Sequence, residues 1–562
     1  MAKTYRRISL LAAGAIALPC ASYYGFLMGP AASQTDLDQQ LAAELQRIGF
    51  TGRTQESLEQ RLGRPINKDI EEIGRFLFFD KIQGLHGDNS CAGCHAPAAG
   101  FGDFKSIAIG VDNNGIVGPG RKGPRNQRRT PMVLNNAFYP KLMWNGRFLA
   151  PTGDPFDNSQ GFGFPDPEGK FRFPADDPNI KVLLAAQGHI PGTELPELAG
   201  FTGTAGTWFV TQRFFGPATM QPMVAGERRP LFQVFPPAGA QLMAADNGAV
   251  PPSGEPTNDI FDDGVGVSIP LPRPMPDGTR NEPIRDIIQN RIDSSKAYRD
   301  LFGKVYPAVA AGQRITFSMI GQALSEFQVG LTFADAPLDK FARGDRSAMS
   351  PEQKRGALLF FGKAGCVSCH ATAGQSNEMF SDFEMRNIGV PQIAPKFGVG
   401  TGNLKFRKAD GQFSVSGNYD FGLADIRSQG TPEFDSAKFK FRTSPLRNIH
   451  LQPTFFHNGS FTRLEDAIRH HLDPVASARS YDAARAGVEE DLRNNTADPT
   501  PVLADLDDLI KRPISLSDQE FTDLVTFVRE GLADPRATPE NLAKLKPDSV
   551  PSGHPLQIFE KP

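Results

Sequence analysis

Two short stretches decide how this chain folds: Cys91-Ala-Gly-Cys94-His95 and Cys366-Val-Ser-Cys369-His370. Each is a C-x-x-C-H motif, the attachment sequence of a c-type haem. Its two cysteines add to the vinyl groups and the adjoining imidazole becomes the iron's proximal ligand. The competing readings are a redox-active C-x-x-C or half of a zinc site. The 562-residue chain has only 5 Cys, and the fifth, Cys20, lies in the apolar N-terminal segment, so no cysteine is spare beyond the two motifs, and the duplication together with the export signal favours haem. The motifs therefore predict two covalently bound c-type haems, one held by Cys91, Cys94 and His95, the other by Cys366, Cys369 and His370.

The residues ahead of the two motifs repeat each other. Gly74-Arg-Phe-Leu-Phe-Phe-Asp-Lys81 precedes the first and Gly356-Ala-Leu-Leu-Phe-Phe-Gly-Lys363 the second, sharing G-x-x-L-F-F-x-K. This reads as an internal duplication. Ile70, Ile73 and Leu77 fall on one helical face, and Ser350-Pro351-Glu352-Gln353 carries an N-cap, a proline at the first helical position and a capping-box Gln. A helix leading into C-x-x-C-H is how a cytochrome c domain begins. Ser517-Asp-Gln-Glu520 starts a helix with Phe521, Leu524, Val525 and Val528 on one face, expected to close the second domain. Residues 318–331, with Ile320, Ala323, Leu324 and Phe327 in register, are expected to close the first.

Composition sets the outer limits. There are 60 Lys+Arg against 63 Asp+Glu, a net charge of -3 that gives no reason to expect nucleic acid. A mean hydropathy of -0.33 excludes a polytopic membrane protein. Lys3, Arg6 and Arg7 followed by the apolar run Ile8 to Leu18 read as an export signal, with a small-residue stretch at Gly29-Pro30-Ala31-Ala32. The run continues imperfectly to Met28, so the segment is either cleaved or kept as a single N-terminal membrane anchor. The expected fold is mainly α: an export segment at 1–32 and two cytochrome c-like domains, each with one haem. The first spans 33–335 with long loop insertions at about 149–180 and 201–284, the second 336–535, and a tail 536–562 wraps the surface or frays.

The sixth ligand of each iron separates an electron carrier from a catalyst. In Ser460-Phe-Thr-Arg-Leu-Glu-Asp-Ala-Ile-Arg-His470-His471, Thr462 and Glu465 predict a capping box. Leu464, Ala467, Ile468 and His471 share a stripe, with His470 pointing about 100° away. His471 is thus the expected second ligand of the second haem, against the alternative of a hydrogen-bonded core histidine.

The chain resembles the bacterial di-haem cytochrome c peroxidase and MauG family over roughly residues 65–200 and 315–532. The resemblance rests on Leu77-Phe-Phe-Asp80, Ser90-Cys-Ala-Gly-Cys-His95, Thr130-Pro-Met-Val-Leu-Asn135, Trp144-Asn-Gly-Arg147, Ser444-Pro-Leu-Arg-Asn-Ile449 and Phe456-His-Asn-Gly-Ser460. It implies that the position of His471 holds the distal ligand of the electron-transfer haem, a Met in the peroxidases and a Tyr in MauG. Typical peroxidases carry a distal His over the first haem; here the matching stretch Ser106-Ile-Ala-Ile-Gly110-Val111 has Val in that place, which implies a five-coordinate iron as in MauG. The resemblance further implies a pocket of Gln187, Pro191 and Glu197. Glu197 would shuttle the peroxide proton, with Glu194 as its rival, and Gln187 would orient peroxide or water. His189 departs from the family pattern, as a distal group or a surface histidine. Trp144 matches an inter-haem relay. The family binds calcium between its domains through an Asn ahead of Thr-Pro; Arg129 in that place, and Gln452-Pro453-Thr454 opposite, put calcium in doubt, with a guanidinium as the substitute charge.

The expected function is an exported, periplasmic peroxidase reducing hydrogen peroxide at the first haem. Electrons would come from a small donor such as a cytochrome c or cupredoxin, through a bis-His second haem. The alternatives are a MauG-like oxidant of a protein or organic substrate and a non-catalytic di-haem electron carrier. Family habit implies a homodimer.

Overall fold

A computed structural model describes residues 34–84, 87–111, 113–123, 125–126, 128–163, 172–173, 177–194, 197–198, 261–262, 268–269, 281–393, 405–406, 419–426, 431–493 and 495–561. Residues 1–33, where the export signal is expected, and most of the second insertion, with Trp208, lie outside them. The helices that matter below are α1 (Gln34–Arg47), α2 (Thr54–Leu62), α3 (Lys68–Phe79), α4 (Leu183–Gln187), α5 (Asn281–Ser294), α6 (Lys296–Val305), α7 (Phe317–Gly330), α8 (Pro351–Phe361), α9 (Leu464–Leu472), α10 (Asp518–Thr526) and α11 (Pro539–Ala543).

The duplicated G-x-x-L-F-F motif builds the same helix crossing twice. Helix α3, capped by Asn67, which accepts from the Asp69 and Ile70 amides, crosses α7 at Gly74. A Cβ there would lie 1.8 Å from the Ala323 carbonyl oxygen. Helix α8, opened by the Ser350–Gln353 capping box, crosses α10 at Gly356, where a Cβ would lie 2.0 Å from the Asp523 carbonyl oxygen. The missing side chain lets backbone approach backbone. The first Phe of each L-F-F then packs on a Phe of the partner segment, Phe78 on Phe327 at 5.2 Å and Phe360 on Phe527 at 5.5 Å. These edge-to-face and tilted contacts are the favourable aromatic geometries.

Elsewhere the structure departs from the expectations. Helix α1 precedes the first domain in sequence but packs on α8, with Leu41 and Leu45 in one cluster with Phe360 and Phe361. Chain order and packing therefore disagree at the 33–335 boundary. The insertion at 149–180 is more than loop. Its described part adds β4 (Phe162–Gly163) and β5 (Arg172–Phe173) to a small antiparallel sheet, next to β2 (Lys141–Leu142) and β3 (Phe148–Leu149). Phe162 and Ile180 enter the cluster formed with Leu58 of α2 and Leu183 and Leu184 of α4. The capping box expected from Thr462 and Glu465 does not form. Helix α9 starts after Arg463 without a side-chain cap, because the Thr462 hydroxyl donates to the Ala486 carbonyl and Glu465 pairs with Arg529.

The tail does not fray. After α11 it runs along the first domain and ends in a parallel pairing of β1 (Ile116–Val117) with β6 (Ile558–Phe559). Ala537, Leu542 and Val550 join the core of the first domain, and the Phe559 ring lies 5.8 Å from Phe79. Ion pairs tie the chain's halves together, Arg128–Asp420 at 2.6 Å and Arg125–Asp491 at 2.5 Å, and a fully buried pair, Arg447–Asp339 at 2.7 Å, lies within the second domain. Among the described residues no helix is long and apolar enough to cross a membrane.

Candidate functional site

Both motif histidines are held alike. His95 Nδ1 donates to the Phe101 carbonyl at 2.9 Å and His370 Nδ1 to the Phe380 carbonyl at 2.9 Å. A carbonyl only accepts, so the ring proton sits on Nδ1 and the lone pair on Nε2, the state a metal ligand needs. Phe101 and Phe380 both adopt positive φ, 55° and 57°, which turns these carbonyls toward the imidazoles. Burial pushes both histidines down to about 4, so they stay neutral at physiological pH. Phe78 and Phe360 of the duplicated motif flank the two rings at 6.1 and 6.4 Å.

Across from His370 stands His471. Its Nδ1 donates to the Ala467 carbonyl one turn back at 2.8 Å, and its ring centroid lies 6.0 Å from that of His370. Two imidazoles bound on opposite sides of one metal, each with a metal–nitrogen distance of about 2 Å, place their centroids about 6 Å apart. The pair therefore has the spacing of two imidazoles that share one metal. Burial on the stripe does not separate the two histidines of α9, contrary to expectation: His470 is the fully buried one. Its Nε2 donates to the Ile388 carbonyl at 2.9 Å and its Nδ1 accepts from the Ser477 hydroxyl at 3.0 Å, which leaves no lone pair for a metal.

Around the first motif, Val111 is buried in the same apolar cluster as Phe78 and Phe101. His189 lies in the turn that follows α4 but is buried, not a surface residue. Its ring packs 5.3 Å from Phe317 and against Gly321 of α7, and its Nδ1 donates to the Ala185 carbonyl at 2.7 Å. Gln187 ends α4 and Pro191 opens the turn Pro191–Thr193, both half-buried on one continuous segment. That segment carries Glu197 to the motif: the Asn89 amide donates to the Glu197 carbonyl at 2.8 Å and lies 3.8 Å from Cys94 Sγ. Burial pushes the Glu197 carboxyl up to about 7, the nearby Glu194 charge adds to this, and the Arg147 guanidinium opposes it. Glu194 itself is paired with Arg147 at 2.8 Å, so of the two acids it is the one held in an ion pair.

Trp144 is buried where the domains meet. Its indole N–H donates to the Arg129 carbonyl at 2.7 Å, and its own carbonyl accepts from the Arg442 amide at 2.8 Å. Gly146, with φ 67°, brings this turn against Met385 of the second domain.

The residues where the family would hold calcium do not fit a divalent cation. The buried Arg129 guanidinium fills the place, donating from Nε to the Thr454 hydroxyl at 2.7 Å and from Nη2 to the Gln452 carboxamide. Gln452 passes the link on to the Ala99 carbonyl at 2.6 Å. A fixed cation on the chain repels a second one.

Sequence reasoning missed Asn89, Arg121 and Gln557, which close around the first motif. Its one visible trace is Gly93 inside the motif, where the second motif has the exposed Ser368. A Cβ at Gly93 would lie 2.0 Å from Asn89 Oδ1 and 2.8 Å from Gln557 Oε1.

The profile of the di-haem cytochrome c peroxidase family matches residues 68–186 and 269–347. The methylamine utilization protein MauG of Methylorubrum extorquens is 22% identical over 91% of this chain and 90% of its own length. The cytochrome-c peroxidase IdrP2 of Pseudomonas sp. is 29% identical over 32% of this chain, and the match spans 46% of that relative. Among solved structures, a MauG-like protein associated with microbial copper homeostasis is 20% identical over 84% of this chain and 91% of that one, with a TM-score of 0.47.

Proposed function

The chain belongs to the di-haem cytochrome c peroxidase and MauG family, and from that premise we propose that it reduces hydrogen peroxide at the first of two covalently attached haems with electrons drawn through the second. Cys91, Cys94 and His95 would hold the first group, and Cys366, Cys369 and His370 with His471 the second. Such a group supplies a redox-active iron whose open or filled sixth position decides between binding peroxide and passing electrons on. The observation that carries the reading is the contrast between the two centres. His471 stands 6.0 Å from His370, whereas the residue that matches the family's distal histidine for the first centre is Val111, which is buried in an apolar cluster.

The chain's own residues supply the proton chemistry. Peroxide takes up two electrons and two protons to give two waters, and its O–O bond breaks more readily once a proton has moved from the inner to the leaving oxygen. Glu197, raised to about 7, can both accept and return that proton at neutral pH. Gln187 would orient peroxide or water, Pro191 would shape the pocket wall, and Trp144 would relay electrons across the domain junction. A small cytochrome c or cupredoxin is the expected donor, and residues 1–32 would direct export to the periplasm.

A second reading has its own support. A bis-His site lacks the thioether that favours ferrous iron, and this shifts the second centre toward lower potential. That favours a MauG-like oxidant acting on a protein or organic substrate. A simple electron carrier is disfavoured by Val111.

Low-temperature EPR on the fully oxidised protein tests the assignment. One high-spin and one low-spin haem are expected; two low-spin signals would overturn the open first centre. Peroxide turnover of Glu197→Gln, with both haems still attached, tests the acid: loss of turnover is expected, and unchanged turnover discards Glu197.

A further inference from the structure

The last residues of the chain lie against the first haem motif. Strand β6 pairs with β1 through the Ile558 amide to the Gly115 carbonyl and the Glu560 amide to the Val117 carbonyl, both at 2.9 Å. The Glu560 carboxylate accepts from the Gly120 amide at 2.6 Å, and glycines at 118 and 120 leave the room it occupies, since a Cβ at either would lie within 2.7 Å of that carboxylate. Upstream, the Ser552 hydroxyl donates to Asp80 at 2.6 Å, next to the Tyr298 hydroxyl bound to the same carboxylate at 2.7 Å. The strap is thus anchored at both ends.

Between the anchors, buried Gln557 reaches the motif itself. It accepts from the Ser90 hydroxyl at 2.8 Å and donates to Asn89 Oδ1 at 3.2 Å. That same oxygen accepts from Arg121 Nη2 at 2.8 Å, which fixes the carboxamide's orientation. With Oδ1 so engaged, Asn89 Nδ2 points its protons at the Glu197 carbonyl at 2.8 Å and toward Cys94. A residue at the end of the chain is therefore connected by two successive hydrogen bonds to the segment carrying Glu197. Among the described residues the second motif has no such cover: Val367 is half-buried and Ser368 exposed, against buried Ala92 and Gly93.

We propose that the C-terminal strap is a working part of the first haem site, with Gln557 and Asn89 as positioning residues that hold the Glu197 segment at the motif. The proposal rests on the reading of Glu197 as the proton-transfer group. Positioning within a fraction of an ångström governs transfer rates, and a small displacement costs about ten- to a hundredfold.

The test uses the full-length protein with both haems attached. Gln557→Leu removes the hydrogen bonds to Ser90 and Asn89, and a longer one to Asn113, at similar volume. Asn89→Asp keeps the acceptor for Arg121 and Gln557 but deletes the donor to the Glu197 carbonyl. Each is expected to lower peroxide kcat at least about tenfold, with the KM for the electron donor, the haem content and the low-spin EPR signal of the second haem unchanged. Two outcomes overturn the proposal: kcat per attached haem within about twofold of wild type, or a loss explained wholly by fewer haems or a lower Tm. If Glu197→Gln retains turnover, the underlying reading fails instead. If it abolishes turnover while both positioning variants remain active, only the strap's role is lost.

Discussion

Neighbouring histidines on α9 differ in what their ring nitrogens can still do. His470 has both engaged by protein groups, whereas His471 spends Nδ1 on the Ala467 carbonyl and keeps the Nε2 lone pair, its ring 6.0 Å from that of His370. His471→Ala is expected to convert the low-spin second haem to high-spin in EPR without large loss of stability. His470→Ala leaves the Ile388 carbonyl and the Ser477 hydroxyl unsatisfied in a cavity. It is expected to cost about 3 kcal/mol by denaturant unfolding while the low-spin signal persists. Glu197 makes a pH prediction. The carboxylate is the form that takes the first proton, so kcat/KM for peroxide should rise with pH through about 7. The folded state holds this proton more tightly than the unfolded chain, whose Glu titrates near 4.5. The group's contribution to stability is therefore fully present below about 4.5 and is lost as pH rises through about 7. Glu197→Gln should remove that slope in Tm measured across this range.

At the scale of elements, the duplicated helix crossings were legible in advance because capping and periodicity are local. The Ser350–Gln353 and Ser517–Glu520 boxes form as their spacing predicts. The Thr462–Glu465 pair has the same spacing and does not, because Ala486 and Arg529 bind those side chains first. A pattern names a possible bond, and tertiary neighbours compete for the same atoms. The glycines of the motif carry a further prediction. Gly74→Ala and Gly356→Ala drive a methyl into backbone carbonyls and are expected to cost about 3 kcal/mol or more, read as a drop in denaturation midpoint. Gly303→Ala, inside α6 with its nearest neighbour 3.6 Å away, should instead stabilise by about 0.5–1 kcal/mol.

Across the whole molecule, the Arg129 link between Thr454, Gln452 and Trp144 replaces what a removable ion would do with a charge that is part of the chain. Chelator treatment is expected to leave peroxide turnover, both EPR signals and Tm unchanged. A loss restored by added calcium would refute this. The sequence by itself determined the two C-x-x-C-H motifs and the duplicated helices, because motif spacing and helical periodicity depend on residues close together in the chain. It offered His471 as a candidate ligand by helical face, a criterion that burial does not bear out, since His470 is the more buried. It could point to Glu197 and to Arg129 only through the resemblance. The tertiary structure alone decided that α1 packs with the second domain and that His470 is consumed by Ile388 and Ser477. It also decided that Gln557 closes on Asn89 and Ser90. The physical reason is the same in each case: burial and hydrogen-bond competition are set by partners outside the local pattern, as far away as Gln557 is from Asn89, and nothing local records which partner reaches an atom first.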